Sequence, residues 1–128
     1  MKVTVVNAKA AIASEKVPLN VLPPAGRIHG ALAAAIGRDK YGLYNFRKSK
    51  QVSYMMYLDA IGRHECCLVD GEDYATETVD GVERTAHHLG FIIASASILL
   101  DALEQGNLLD DRPAKGTAAK VLERERKK

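Results

Sequence analysis

The sequence is short of the residues that fill a core with large rings or cross-link a small fold. Tryptophan is absent, and the aromatic residues are five Tyr and two Phe in a chain of 128 residues. The core must therefore be built mainly from Ala, Ile, Leu and Val. The two cysteines, Cys66 and Cys67, are adjacent, so no disulfide framework is implied, and the lack of a CxxC pair excludes a finger-type zinc site.

Long apolar runs and a large excess of one charge are also missing. The longest apolar stretch, residues 91–100, contains two serines and is too short to cross a bilayer, and residues 1–16 lack the apolar segment of a signal peptide. The net charge is +2, and the last twelve residues alone carry five basic and two acidic side chains. The nearly neutral remainder excludes a dedicated nucleic-acid clamp. We expect a cytoplasmic, single-domain protein without a membrane anchor.

Helical periodicity predicts a mostly α fold with three principal helices. They are expected over about residues 25–41, 53–70 and 82–104. Pro24 is well placed to open the first helix, and Gly106 is well placed to cap the third. The third helix is apolar nearly all round, which predicts either a central helix or a subunit interface, and we expect a homo-oligomer.

The chain is expected to have three segments. These are an extended arm or short strand over residues 1–20, a compact helical domain over 21–116 and a charged tail over 117–128. The loops 42–50 and 71–81 separate the predicted helices. Glycines of the first helix would permit the close approach of another backbone.

An aromatic–basic loop, residues 40–50, is the first candidate for binding chemistry. Its members are Lys40, Tyr41, Tyr44, Asn45, Phe46, Arg47, Lys48 and Lys50. Aromatic faces stack on bases, and Arg or Lys pairs with phosphate, so this combination suits a nucleotide. The alternative is a loop anchored by aromatic packing with solvated lysines.

The second predicted helix carries Asp59, Arg63 and His64 close together. Asp59 and Arg63 are four residues apart and can pair on one helix face. Arg63 could instead lie in a cleft, with Asp59 orienting it. The alternative is a solvated surface pair of little energetic value.

An acidic loop and a histidine pair follow. The loop carries Glu72, Asp73, Glu77 and Asp80 without a basic residue among them. Magnesium takes one or two carboxylates together with water and substrate phosphates, so these residues are a candidate metal platform or simply a solvated acidic loop. His87 and His88 are adjacent on a predicted helix. Neighbouring helix positions point about 100° apart, so these two side chains do not readily face one metal ion.

Seven short segments together carry a resemblance to a known family. In chain order they are Lys40-Tyr41-Gly42, Tyr44-Asn45-Phe46-Arg47, Arg63-His64, Gly71-Glu72-Asp73, His87-His88-Leu89-Gly90, Ile98-Leu99-Leu100-Asp101 and Asp110-Asp111-Arg112-Pro113. Over about residues 21–116 the chain resembles the phage-encoded domain at the N-terminus of dATP/dGTP diphosphohydrolases. The resemblance implies a phage origin, work in the host cytoplasm and a purine deoxynucleotide ligand.

The leading hypothesis is Mg²⁺-dependent hydrolysis of purine nucleoside triphosphates. We expect Glu72, Asp73 and Asp80 to hold Mg²⁺. The expected phosphate partners are Lys40, Arg47 and Arg63. Tyr41, Tyr44 or Phe46 would stack on the base, and Asn45 is a further expected nucleotide-binding residue. His64 or His88 would serve as the acid–base group or only as a hydrogen-bond partner.

Two other functions stay open. Enzymes of the all-α pyrophosphohydrolase class hold magnesium with ExxE and ExxD pairs on two helices, and the first two predicted helices here carry no such pair. This difference favours a protein that sequesters a nucleotide without hydrolysing it. A structural helical assembly protein is the third candidate, and it would bind no nucleotide.

Overall fold

The computed structural model describes residues 7–48 and 50–127. The elements in chain order are α1 (Ala8–Ser14), a 3₁₀ turn (Leu19–Val21), α2 (Pro24–Tyr41), α3 (Asn45–Lys48), β1 (Val52–Ser53), α4 (Tyr54–Val69), β2 (Tyr74–Val79), β3 (Val82–His87), α5 (His88–Gln105), β4 (Leu108–Leu109) and α6 (Ala118–Arg124). In the described residues, α2, α4 and α5 are the long helices, and α5 packs against both of the others.

The expectation of a mostly α fold was wrong. The structure is 61% helical and 13% strand, with two small sheets, so the fold is mixed α and β. The predicted loop 71–81 contains β2, and β3 occupies the start of the predicted third helix. The two strands pair antiparallel, from Tyr74↔His87 to Val79↔Val82. β1 and β4 form the second sheet, a short parallel pair.

The hairpin turn explains why the third helix begins six residues later than predicted. Asp80 and Gly81 have φ values of 50° and 77°, the left-handed conformation that a tight two-residue hairpin turn requires. β-Branched Thr and Val recur through both flanking strands, where they pack better than in a helix. The turn and the strand propensity together override the helical pattern.

The first two predicted helices lie within one residue of their expected bounds, and Pro24 occupies the first turn of α2. Gly106 ends α5 in the left-handed conformation, with its N–H bonded to the carbonyl of Ala102. The N-terminal arm contains α1 and the 3₁₀ turn where we expected extended chain. The β-branched run at 3–6 lies outside the described residues.

Two glycines allow α2 and α5 to approach closely. A Cβ built on Gly90 would lie 2.4 Å from the carbonyl oxygen of His29, and one built on Gly30 would lie 2.6 Å from Cγ2 of Ile93. Neither position has room for a methyl group. This contact fixes the first turn of α5, where His88 lies, against the middle of α2.

In the part of the chain that the structure describes, the core consists of two small clusters, one towards each end of α5. One is formed by Ala33, Ile36, Val79 and Ala86, with Phe91 and Ala94 packed against it. The other is formed by Val52, Leu99 and Ala102, with Phe46, Tyr54, Tyr57, Ile98 and Leu108 packed against it. The hairpin therefore closes the first cluster, and the start of α4 closes the second.

The segment after α5 holds the beginning of α4. The Asp111 carboxylate accepts the backbone N–H of Met55 at 2.9 Å and the hydroxyl of Ser53 at 2.5 Å. The hydroxyl of Ser53 and the N–H of Met55 together keep the pKa of Asp111 below its usual value. Arg112 stacks over the Tyr54 ring at 4.1 Å and pairs with Asp110. Through these contacts the Asp110–Arg112 segment stabilises the N-terminal end of α4.

Much apolar surface remains open. The chain exposes 10474 Å², whereas a compact monomer of 13.9 kDa exposes about 6,700 Å². A shallow groove of about 660 Å³ between α4 and α5 is lined by leucines, among them Leu58, Leu100 and Leu103. None of the described helices is long and apolar enough to cross a membrane.

Candidate functional site

Three side chains meet where α4 ends and α5 begins. His64 lies on α4, Glu72 follows the turn at Gly71, and His88 is the first residue of α5. The backbone sets this meeting, because the N–H of Glu72 donates to the Cys67 carbonyl at 2.9 Å and the N–H of His88 donates to the Asp73 carbonyl at 2.8 Å. Glu72 is thus hydrogen-bonded to the end of α4, and its neighbour Asp73 to the start of α5.

The three side chains form a continuous hydrogen-bonded chain, which we call the histidine relay. His88 Nε2 lies 2.7 Å from Glu72 Oε2, and His88 Nδ1 lies 2.7 Å from His64 Nδ1. A carboxylate can only accept, so His88 donates its Nε2–H to Glu72. With both rings neutral, His64 donates its Nδ1–H to His88 Nδ1, and His64 Nε2 is left unprotonated.

The surroundings of the relay keep His64 neutral. Its ring stacks on the Phe91 ring, with the ring centroids 4.8 Å apart and an angle of 2° between the ring planes. Burial lowers the pKa of His64, the neighbouring His88 and Arg63 lower it further, and only Glu77 opposes them. Glu72 behaves in the complementary way, because its hydrogen bonds to His88 and then to Cys67 lower the pKa of the carboxyl. The relay therefore pairs a carboxylate with two imidazoles, one of them only 3% exposed.

This arrangement can move a proton. In triad-type hydrolases a carboxylate orients one imidazole, which acts as the general base; here the oriented imidazole of His88 in turn contacts a second imidazole, that of His64. The His64 Nε2 would accept the proton, and the Glu72 carboxylate would stabilise the charge that develops on the histidine pair. The structure thus brings together both histidines that the sequence suggested as acid–base groups.

The predicted magnesium ligands do not converge. Glu72 and Asp73 are adjacent, but Asp80 lies at the hairpin turn, which is about 20 Å along β2 from Asp73. Glu72 is already bonded to His88 and Cys67. The set Glu72, Asp73 and Asp80 does not fit one Mg²⁺ ion.

Two of the three predicted phosphate partners are engaged by acidic side chains. Lys40 Nζ lies 2.8 Å from Glu77, and the Arg47 guanidinium makes two hydrogen bonds to Asp101, at 2.7 and 3.1 Å. These partners raise the pKa of Lys40 and of Arg47, in each case mainly through the hydrogen bond. Arg63 is exposed, and no ion pair holds it in the described part of the chain, so it is the cation best able to meet a phosphate.

The aromatic members of the aromatic–basic loop are divided between surface and core. Tyr41 is 68% exposed, and Tyr44 lies beneath the Arg47 guanidinium at 4.6 Å. Phe46 packs against the second core cluster and does not offer a free face. Asn45 begins α3, and its N–H donates to the Gly42 carbonyl. Only the tyrosines of this loop remain available for stacking on a base.

Arg63 and Asp59 line a second shallow groove together with Cys66 and Cys67. No salt bridge joins Arg63 to Asp59 among the residues that the structure describes, so the predicted helix-face pair is replaced by two groups on one groove wall. His87, the other predicted histidine, caps α5 by accepting the N–H of Leu89 at 3.0 Å. Its ring packs edge-on against Tyr74 and His29.

Sequence reasoning missed two members of the site. Cys67 lies one helical turn after His64 on α4, a spacing that places both on one face and could have indicated a shared site. Cys67 donates to Glu72, and burial and this carboxylate raise the pKa of the thiol. Phe91 lies one turn after His88 on α5 by the same rule. Its stacking on His64 depends on the packing of α4 against α5, which the sequence does not specify.

Residues 6–112 match the family described as dATP/dGTP diphosphohydrolase, N-terminal. No curated protein and no solved structure matches the chain significantly. The match covers most of the chain and includes α2, α4, α5, the hairpin and every residue of the histidine relay. The chain therefore belongs to the dATP/dGTP diphosphohydrolase N-terminal domain family.

Proposed function

We propose that this protein hydrolyses purine deoxynucleoside triphosphates, with the histidine relay as its proton-accepting group. The observation that carries the proposal is the unbroken chain of hydrogen bonds from Glu72 through His88 to His64, in a chain of this family. Hydrolysis of a phosphoanhydride needs a water that loses a proton as it attacks. A half-buried neutral imidazole supported by a carboxylate meets that need.

In the proposed reaction, water attacks the α-phosphorus as His64 Nε2 takes its proton. The bond from this phosphorus to the bridging oxygen of the β-phosphate breaks, and pyrophosphate leaves with the electron pair. Arg63, which is exposed and has no ion pair among the described residues, would pair with the phosphate oxygens. Tyr41 or Tyr44 would stack on the purine.

Magnesium enters this proposal only as part of the substrate. Nucleoside triphosphates bind Mg²⁺ through their phosphates, and the predicted ligand set of the protein does not fit one ion. The proposed reaction therefore contains no step that uses a protein-bound Mg²⁺. The experiment below, with Mg²⁺ and with EDTA, tests whether hydrolysis depends on Mg²⁺. A phage-encoded origin and action in the host cytoplasm belong to the same proposal, since the family resemblance implies them.

Sequestration of a nucleotide without hydrolysis is the second candidate. It is favoured by the separation of Asp80 from Glu72 and Asp73, which removes the predicted carboxylate platform. The ion pairs of Lys40 and Arg47 weigh against strong phosphate binding by the aromatic–basic loop under either proposal. A structural assembly role is the third candidate, and it predicts no nucleotide binding.

We also propose that two copies associate through the leucine-lined groove between α4 and α5. The leucines of this groove are exposed, Leu100 at 64% and Leu58 at 37%, and a contiguous exposed apolar patch of this kind favours association with another protein surface. Leu103 is 57% exposed at this groove, and Leu103→Lys should convert the dimer to monomer in sedimentation analysis. A monomeric wild-type protein would contradict this part of the proposal.

The test incubates the protein with dATP, dGTP, dCTP and dTTP, with Mg²⁺ and with EDTA, and measures thermal unfolding and products by chromatography. Purine-selective release of monophosphate and pyrophosphate supports the hydrolase. A rise in Tm with intact nucleotide favours sequestration, and no rise with any nucleotide contradicts both. Arg63→Met should weaken the response, whereas Arg38→Met, which alters an arginine paired with its neighbour Asp39, should not.

A further inference from the structure

The end of α4 and the start of α5 place three different metal-binding atoms together. The Sγ of Cys67, a carboxylate oxygen of Glu72 and a ring nitrogen of His88 all lie within 4.8 Å of one another. We propose that these three side chains bind a Zn²⁺-class cation, with the fourth position open to water. This site goes beyond the proposed hydrolysis and does not depend on it.

The chemistry of the donors selects the metal. Thiolate and imidazole ligands suit Zn²⁺ and Co²⁺, whereas Mg²⁺ prefers an all-oxygen set. In a tetrahedral site with metal–ligand distances of 2.0 to 2.3 Å, the ligand atoms are roughly 3.3 to 3.7 Å apart. The ligand atoms of Cys67, Glu72 and His88 are at most 4.8 Å apart, so no pair must approach by more than about 1 Å. The 2.7 Å contact between His88 and Glu72 must lengthen slightly. Rotations of the Cys67 and Glu72 side chains can supply both changes.

The surroundings of the site resemble those of a built metal centre. His88 is 3% exposed, and its second ring nitrogen already faces His64, which is the contact that fixes the orientation of a metal-binding imidazole. The hydrogen bond from the N–H of Glu72 to the Cys67 carbonyl holds two of the ligands at a fixed backbone separation.

Metal binding at this site keeps protons in balance. The cation displaces the Nε2 proton of His88, which passes through solvent to His64 Nε2, while the Nδ1 proton of His64 moves to His88 Nδ1. The Cys67 thiol releases one proton to solvent. A bound metal therefore reverses the direction of the hydrogen bond between the two histidines, and in this state His64 Nε2 is protonated and is not the general base of the proposed hydrolysis.

The experiment uses Co²⁺ as a spectroscopic substitute for Zn²⁺ on protein first treated with a chelator, and no nucleotide is present. We expect one Co²⁺ per chain, a thiolate-to-cobalt charge-transfer band in the near ultraviolet, intense visible bands of tetrahedral geometry, and loss of all of them on addition of Zn²⁺. Absence of the charge-transfer band at saturating Co²⁺ would overturn the proposal.

The adjacent cysteine provides a matched control. Cys66→Ser should keep the charge-transfer band, because Cys66 is exposed and lies outside the cluster, whereas Cys67→Ser should abolish it. The same loss in both variants, or its retention in Cys67→Ser, would contradict the assignment. Both positions are at the surface or only half-buried, so both variants should fold.

A second pair tests the carboxylate. Glu72→Gln should weaken Co²⁺ binding about tenfold or more, whereas Asp73→Asn should bind as the wild type does. Zn²⁺ should raise the Tm of the wild type in proportion to its concentration over Kd, and Mg²⁺ at the same concentration should not. Equal stabilisation by Mg²⁺, or equal weakening in both variants, would exclude this site.

Discussion

The histidine relay and the aromatic–basic loop both contain residues that the sequence marked as functional candidates, but the fold treats the two regions differently. In the relay, each polar group is hydrogen-bonded to the next. The last group is the half-buried imidazole of His64, whose Nε2 has no hydrogen-bond partner among the described residues. In the loop, Lys40 and Arg47 are bonded to Glu77 and Asp101, and Phe46 packs in the core. Charge and aromatic content alone therefore do not identify a binding loop, because the distant partners decide whether a cation is available.

The largest expected effect is on hydrolysis by the relay. His64→Gln should lower the rate about 100- to 1,000-fold, because a positioned general base contributes that much. Arg47→Met, in the loop, should change the rate less than about threefold, since Asp101 already occupies this guanidinium. Steady-state rates with dATP and dGTP measure both. An equal loss in Arg47→Met would mean that the loop is also part of the catalytic site, and an unchanged rate in His64→Gln would exclude the relay.

The next effect concerns the glycine that fixes the start of α5. Gly90→Ala should lower the free energy of unfolding by about 1–3 kcal/mol, because its Cβ would meet the His29 carbonyl. Gly37→Ala is the matched control in α2, where a new Cβ meets nothing within 4 Å. It should raise stability by about 0.5–1 kcal/mol through helix propensity. Urea unfolding of both variants gives the comparison, and similar effects at both sites would contradict the close approach of α2 and α5.

The two phenylalanines separate packing from function. Phe91→Leu and Phe46→Leu each remove part of a ring from a core cluster and should each cost about 1 kcal/mol of stability. Only Phe91→Leu removes the ring that stacks on His64, so only this variant should also lower the hydrolysis rate. A fall of activity in Phe46→Leu at equal stability would contradict the division between the two regions.

The smallest effect is the pH dependence of the Arg47–Asp101 pair. Arg47 lowers the pKa of Asp101 below its ordinary value of 3.8, so the pair stabilises the fold above that pH. The contribution is lost as the pH falls through the folded pKa and the carboxylate takes up a proton. The small Tm difference between wild type and Arg47→Met at pH 7 should therefore shrink as the pH is lowered below 3.8 and vanish once Asp101 is protonated in the folded protein. A difference that persists in acid would show that Arg47 acts through packing.

Local signals predicted the helices, and one readable local signal was missed. The spacing of apolar residues and the ends at Pro24 and Gly106 place α2 and the end of α5 correctly. The hairpin also had a local signal, the Asp80-Gly81 pair between two Thr- and Val-containing runs, but the helical pattern of the following segment outweighed it in the prediction.

The site could be predicted only in part, because its connections are long-range. The sequence indicated His64 and His88 as acid–base candidates, but their contact joins residues 24 apart and requires α4 to pack on α5. The ion pair between Arg47 and Asp101 joins residues 54 apart, and nothing local in either segment reveals it. Tertiary packing therefore decided which predicted groups remained available.

The direction of the hydrogen bonds in the histidine relay is the central claim, and ¹⁵N NMR of the imidazole nitrogens tests it most directly. On metal-free protein at neutral pH, the account predicts a proton on Nε2 of His88 and on Nδ1 of His64. It also predicts that Glu72→Gln changes the signals of both rings, with Asp73→Asn as the unchanged control. A proton on Nε2 of a neutral His64, with signals indifferent to Glu72→Gln, would contradict the account.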